Sequence, residues 1–315
     1  MTAQFQSAIV AEGLTKSFPG VCAVDVLSFD VRSGEIFGLV GPDGAGKTTT
    51  LRMLAGIMPS DAGKATVAGF DVARDPEGAK HALSYMPQRF GLYEDLTVTE
   101  NIRFYADLFG VNKTERNARS TQLLQAAGLS EFQKRLAGKL SGGMKQKLGL
   151  VCALIHRPKV ILLDEPTTGV DPVSRRDFWR ILYELVAEGV AILTSTAYLD
   201  EAERCHRVAL MHQGKLLFCD TPVNLKAKLG KDVLSVTAPE PRRLRRELED
   251  AEGISSLLLT GDRLHVVVDD AARRIPEFEA RFERANIPFG AILKIEPSIE
   301  DLFVDAVGAG VTPHG

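Results

Sequence analysis

Residues 41–48 read Gly41-Pro42-Asp43-Gly44-Ala45-Gly46-Lys47-Thr48 and fill every fixed position of the pattern G-x-x-x-x-G-K-[ST]. Such a loop belongs in the turn between a buried parallel strand and the helix after it. Both flanks comply. Ile36-Phe37-Gly38-Leu39-Val40 is a continuous apolar run, as expected of a strand covered on both faces. Leu51, Leu54, Ala55 and Met58 follow at i, i+3, i+4 and i+7, and Pro59, Asp61 and Gly63 predict the end of that helix. The chain is thereby held to an α/β fold with a mostly parallel sheet.

The glycines let backbone N–H groups converge on phosphate oxygens with no side chain in the way, and the helix start adds about half a positive charge. The predicted phosphate-binding set is Gly41, Pro42, Asp43, Gly44, Ala45, Gly46, Lys47, Thr48 and Thr49. Within it Lys47 would reach the β and γ phosphates and the Thr48 hydroxyl would ligate Mg²⁺.

A loop of this kind serves many chemistries, so the rest of the chain has to choose among them. Val160-Ile161-Leu162-Leu163 is a second buried-strand run, ending in Asp164 and Glu165 at the C-terminal edge where open α/β sheets place ligands. Asp164 would hold the Mg²⁺ shell, and Glu165 would act as general base on the attacking water. Between the two motifs stand Leu140-Ser141-Gly142-Gly143-Met144-Lys145-Gln146, followed by Leu148, Val151, Cys152 and Ile155 at helical spacing. Ser141 is a good N-cap, and Gly142 and Gly143 leave amides bare, which makes a second anion-receiving helix start. One nucleotide does not need two cradles in one chain. Two chains that sandwich it, loop of one against Ser-Gly-Gly helix of the other, account for both.

Composition narrows the partners. The 315 residues suggest about two domains. With 38 basic and 41 acidic residues interspersed, a net charge of −3 provides no field to draw nucleic acid, and none is expected as a partner. Cys22, Cys152, Cys205 and Cys219 are scattered without a C-x-x-C pair, as in a reducing compartment, and no zinc cage is expected. No stretch approaches the roughly 20 apolar residues of a membrane span. The expectation is a cytoplasmic chain that meets a membrane through a partner.

Taken together, Gly41 to Thr48, Gln88, Leu140 to Gln146, and Val160 to Asp171 resemble the ATP-binding subunit of an ATP-binding-cassette (ABC) transporter, over roughly residues 8 to 225. The resemblance implies ATP and Mg²⁺ as ligands, an N-terminal antiparallel β region, and a helical subdomain over about residues 89–139 that docks a helix of a membrane permease. Asn101 to Phe109 carries a suitable stripe at Ile102, Tyr105, Ala106 and Phe109. It further implies that Phe18 stacks on adenine and that Gln88 touches Mg²⁺ and water. Asp171 would cross to the second cassette, and Ser141, Gly142, Gly143 and Gln146 would serve the partner's ATP. That partner is either a second copy or a paired cassette, including one in the same longer chain. The competing expectation is a soluble switch ATPase of this class, or a regulatory cassette that binds ATP without appreciable turnover.

Two positions depart from the family pattern. After Ala191-Ile192-Leu193-Thr194-Ser195-Thr196 the family places a histidine that contacts the γ phosphate, and this chain has Ala197. Asp43 stands where related exporters more often carry Asn. Together they resemble the first ATP-binding half of tandem multidrug exporters; Ala197 predicts slow hydrolysis at this chain's own loop, while Asp43, pointing to solvent, is expected to have a small effect. From about residue 229 to 308 a new alternation predicts strands at Asp232–Ala238, Ile254–Thr260, Leu264–Val268 and Ala291–Ile295. Helices with Leu244, Leu248, Ala251 and with Phe278, Phe282, Ala285 complete the order βαββαβ, a small ferredoxin-like domain. Arg242, Arg243, Arg245 and Arg246 read as a solvated helix face, and residues 309–315 as a tail or linker. Residues 1–228 would form the ATP-binding domain.

Overall fold

A computed structural model describes residues 7–308, and the expected tail at 309–315 lies outside them. The chain forms two compact units. The first comprises the described residues through Tyr198 with Cys205–Leu216, and the second comprises Leu199–Arg204 with the residues from Leu217 on.

The first unit opens with β1 (Ser7–Phe18), β2 (Val21–Arg32), β3 (Ile36–Val40), α1 (Lys47–Leu54), β4 (Ala62–Val67), β5 (Phe70–Asp71), α2 (Pro76–Ala82) and β6 (Leu83–Met86). It continues through α3 (Val98–Leu108), α4 (Lys113–Ala126), α5 (Gly142–Leu154), β7 (Val160–Asp164), α6 (Pro172–Ala187) and β8 (Ala191–Thr196). After α7 (Leu199–Ala202), which belongs to the second unit, it ends with β9 (Arg207–His212).

Two sheets make up this unit. The antiparallel one has the order β2-β1-β4-β5. The central one has the order β10-β9-β3-β8-β7-β6, with β10 (Lys215–Asp220) at one edge, and is parallel from β9 through β6, Gly38 opposite Thr194, Leu163 opposite Thr194 and Met86 opposite Leu163. Every residue of β3, β7 and β8 is buried. Their apolar runs, Ile36–Val40, Val160–Leu163 and Ala191–Leu193, are thus the mark of strands with helices on both faces rather than of a half-exposed sheet. β8 lies between β3 and β7, so the strand that feeds the glycine loop and the strand that ends in the acids share one neighbour.

The helix after the glycine loop is shorter than its apolar stripe predicts. It ends at Leu54, because Gly56 takes φ 65° and the Gly56 and Ile57 amides turn back onto the Met53 and Arg52 carbonyls. Glycine in this left-handed position closes a helix at little steric cost. Met58 therefore lies beyond the helix that its spacing predicts. α3 begins with a full capping box, in which the Thr97 hydroxyl accepts from the Glu100 amide while the Glu100 carboxylate accepts from the Thr97 amide.

In β10 (Lys215–Asp220) the chain passes from the first unit to the second. There α8 (Pro222–Ala227), β11 (Asp232–Thr237), α9 (Pro241–Leu248), β12 (Ile254–Thr260), β13 (Arg263–Val268), α10 (Ala271–Arg284), β14 (Ile292–Ile295) and α11 (Ile299–Gly308) follow. The strands form an antiparallel sheet in the order β12-β13-β11-β14, a ferredoxin-like arrangement. Leu234, Val236, Leu264, Val266 and Val268 cluster with Leu244 and Leu248 of α9 and with Phe278 and Phe282 of α10. α11 packs on β12 and β13 and also against α7 and α8. Contact with α11 draws α8 into this unit, so the division falls at 216/217 rather than at 228/229.

On α11, Asp301 and Asp305 are both buried. The His265 ring nitrogen Nδ1 lies 3.1 Å from Asp301 Oδ1, and Lys231 Nζ lies 2.9 Å from Asp305 Oδ2. Their i, i+4 spacing puts both acids on the inward side of the helix.

Candidate active site

The glycine loop sits at the C-terminal ends of the central strands. Its geometry depends on missing side chains at two points: a Cβ at Gly41 would collide with the Met211 carbonyl, and one at Gly46, which has φ 100°, with the Ala23 carbonyl. Gly41 N donates to the Thr196 carbonyl at 3.3 Å, which ties the loop to the end of β8.

Lys47 is only 4% exposed. Its ammonium donates to the Gly41 and Pro42 carbonyls at 2.7 and 3.1 Å and lies 3.3 Å from Glu165 Oε1. Glu165 Oε2 accepts from the Gln88 amide at 3.1 Å and from the Thr168 hydroxyl at 3.5 Å. One carboxylate therefore collects a cation, an amide and a hydroxyl drawn from three segments. Glu165 itself has φ 47°, an uncommon backbone for a residue with a side chain. That turn comes immediately after β7 and sends the chain back at the sheet edge. Among non-glycine residues such outliers concentrate where function overrides local preference.

Asp164, 2% exposed, is surrounded by hydroxyls. Its Oδ1 accepts from Thr48 Oγ1 at 2.9 Å and from Ser195 Oγ at 2.7 Å, and its Oδ2 from the Tyr85 hydroxyl at 3.2 Å. Burial first, then the charge of Asp164, push the Tyr85 hydroxyl up to about 12, so it stays a donor at neutral pH. The Thr48 hydroxyl and the Asp164 carboxylate are hard oxygen donors on adjoining segments, the donor set Mg²⁺ prefers. The residues present fit that ion.

A cavity of about 500 Å³ brings the predicted residues together: Phe18, Asp43 through Thr49, Gln88 and Glu165 line it, with Val21 and Ala23. Phe18 is 42% exposed at its edge, and the Lys16 ammonium stands 5.9 Å from the centre of its ring. Gly41 and Pro42 lie beneath, as carbonyl partners of Lys47.

Ser141, Gly142, Gly143, Gln146 and Asp171 do not line this cavity. They form a second cluster where α5 and α6 begin. The Ser141 hydroxyl accepts from the Met144 amide at 3.3 Å, and Asp171 Oδ1 caps α6 by accepting from the Val173 and Ser174 amides. Those bonds, the one from the Ser174 amide foremost, hold the Asp171 carboxyl below its usual range. A Cβ at Gly143 would run into the Ser174 side chain, so glycine is what lets the two helix starts touch. Gly142 has open space beside it. Gln146 Oε1 is buried without a hydrogen-bond partner.

Sequence reasoning missed Ser195, Tyr85 and Thr168 as neighbours of the two acids. Tyr85 and Ser195 lie on β6 and β8, on either side of β7, and parallel pairing sets Ser195 opposite Asp164. A polar residue inside an apolar strand was the available signal; the register that gives it meaning was not.

Ala197, exposed, directly follows β8. No helix of the described residues is long and apolar enough to cross a membrane.

Residues 24–168 match the family described as ABC transporter. Over 309 residues the chain is 45% identical to "Probable multidrug ABC transporter ATP-binding protein YbhF" of Escherichia coli (strain K12), covering 96% of this chain and 53% of that protein. The chain thus spans about half the length of that relative. It is 37% identical over 305 residues to "Nod factor export ATP-binding protein I" of Paraburkholderia xenovorans (strain LB400), covering 96% of this chain and 98% of the other. A solved structure, "Structure of ATP binding subunit of ABC transporter", superposes with a TM-score of 0.65 at 30% identity, over 71% of this chain and 94% of the other.

Proposed function

Because the chain belongs to the ATP-binding proteins of ABC transporters, we propose that it is the energy-coupling ATPase of an exporter and works as one of two cassettes. The observation that carries this reading is the convergence of Lys47, Gln88 and Thr168 on the Glu165 carboxylate, beside an Asp164 that is bonded to Thr48.

ATP lies with its phosphates in the Gly41–Thr49 loop and its base towards Phe18. Amides of the loop and the Lys47 ammonium bind the β and γ phosphates, and Glu165 takes the proton of the attacking water while Gln88 orients that water. Thr48, Asp164 and Gln88 would hold Mg²⁺, which when bound neutralises developing charge on the phosphate oxygens. The Ser141–Gln146 helix start and Asp171 lie outside the chain's own cavity, which suits a role towards the nucleotide of a partner cassette. ATP closes that dimer and hydrolysis reopens it.

An apolar cleft of about 400 Å³ supports docking of a permease. It runs between the first-unit core and α3, lined by Ile57, Leu83, Phe90, Tyr105, Leu108 and Phe109 among others, with Ile57 and Leu108 largely exposed. The protein on this reading is peripheral on the cytoplasmic face of the membrane. The export assignment follows the relatives described as multidrug and Nod factor export proteins.

Ala197 has neither donor nor charge, and removing one preorganised contact to a transferring group commonly costs about two to three orders of magnitude in rate. The chain's own site therefore binds ATP and turns it over slowly. ATP hydrolysis and nucleotide binding of the wild type, Glu165→Gln and Ala197→His test this together. Intact binding, slow turnover and a faster Ala197→His variant are expected. Brisk wild-type turnover that only Glu165→Gln stops would replace the slow-site reading with a self-sufficient homodimer.

A further inference from the structure

Asp164 is clamped from both neighbouring strands. In the sheet order β8-β7-β6, Ser195 of β8 reaches its Oδ1 and Tyr85 of β6 its Oδ2. The two hydroxyls differ in one respect. Ser195 also accepts from the Glu165 amide, at 3.0 Å, so one side chain touches both consecutive acids. Its carbonyl accepts from the same amide at 3.2 Å. Ser195 is 0% exposed, and a hydroxyl buried so fully is costly unless bonded. Here its donor and one acceptor position are both spent on the acid pair.

We propose that Ser195 is a positioning residue of the ATPase site: its hydroxyl fixes the Asp164 carboxylate towards Thr48 and holds the Glu165 backbone in its left-handed turn. The proposal rests on the ATPase reading above. A carboxylate on a single short stem can rotate, and a second donor on Oδ1, beside that of Thr48, removes this freedom. A metal-holding acid set in advance by partners behind it binds the ion without first having to be ordered. The left-handed turn at Glu165, φ 47°, has a steric cost for a side-chain-bearing residue, and the bifurcated bond from its amide to the Ser195 hydroxyl and carbonyl offsets that cost. Alanine at 195 would leave the amide with the carbonyl alone and Oδ1 with Thr48 alone.

The test is ATP binding to the whole chain across a Mg²⁺ titration and in EDTA, with single-turnover hydrolysis and thermal melting alongside, for Ser195→Ala, Ser195→Cys and Ser195→Thr. Ser195→Cys fills the site with a slightly larger sulfur and replaces the hydroxyl with a weak donor, whereas Ser195→Ala empties it, so a loss shared by both reports the hydrogen bonds rather than the packing. Ser195→Ala and Ser195→Cys are expected to raise the Mg²⁺ needed for half-maximal ATP retention about tenfold, the scale of lost outer partners at metal sites. Retention in EDTA should stay unchanged, and Ser195→Thr should restore most of the loss. An unchanged Mg²⁺ requirement in Ser195→Ala or Ser195→Cys overturns the proposal. So does a loss equal with and without Mg²⁺, which would mark a structural role. A wild type without Mg²⁺-dependent ATP binding overturns the ATPase reading itself, and the wild-type titration alone reports that.

Discussion

Lys47 shows how much one buried side chain can hold in place. Its ammonium is almost closed off from solvent and is surrounded by two carbonyls and a carboxylate, all acceptors. It therefore stands extended and paired at the cavity wall. Hydrogen bonds to a charged group contribute about 1.5–3 kcal/mol, so Lys47→Ala should weaken ATP binding roughly 10- to 100-fold. Equilibrium binding of a fluorescent ATP analogue checks this, and an affinity within twofold of wild type would remove Lys47 from the phosphate contacts. Glu165 belongs to the same scale. Its type and place were legible in the sequence as the residue after a buried acid-ended strand, but its left-handed backbone was not, since φ at one position follows from how two strands end beside each other.

At the scale of elements, periodicity located the buried strands well, because a strand covered on both faces has no polar positions to blur its ends. Ile36–Val40 begins and ends where its apolar run does, whereas Ala191–Thr196 runs on past Leu193 through three buried hydroxyl residues. Helix ends were read less well. The stripe through Met58 continued past α1 because apolar residues in a turn also find the core, and Gly56 rather than Pro59 closes the helix. Hidden altogether were the acids of α11. In sequence Asp301 and Asp305 look like solvated helix residues, and their partners, His265 on β13 with Ser298 for the one and Lys231 just before β11 with Ser255 for the other, explain their burial. At the start of α3, Thr97 carries a reciprocal cap with Glu100. Thr97→Ala should cost about 1 kcal/mol, read as a lower urea midpoint with an unchanged slope. No shift in the midpoint would mean that the docking of α3, not its cap, fixes the helix.

For the whole molecule, two units with separate cores imply stability that is not shared evenly. The second unit leans on ionised carboxylates. Hydrogen bonding to Arg274 holds the Asp269 carboxyl at about 2, below its ordinary 3.8. Burial of Asp301 works against its charge, yet the His265 ring together with the Ser298 hydroxyl and amide outweighs burial and leaves it lowered as well. Groups whose folded value lies below the unfolded one contribute fully above about pH 4 and lose that contribution as pH falls towards about 2. Melting of this unit should accordingly drop across that window. Arg274→Gln, which removes the bidentate partner of Asp269, should make the drop shallower. A variant curve parallel to that of the wild type would assign the acid sensitivity elsewhere.

Ala197 lies exposed, one residue beyond the last hydrogen-bonded position of β8. Inside the strand, inserting or deleting a residue would turn every later side chain to the opposite face and separate Ser195 from Asp164. Past its end no such lattice constrains the side chain. On the slow-site reading proposed above, the residue at position 197 acts as a dial: exchanging it would change the speed of hydrolysis while the strand that folds before it stays the same, without a cost in stability.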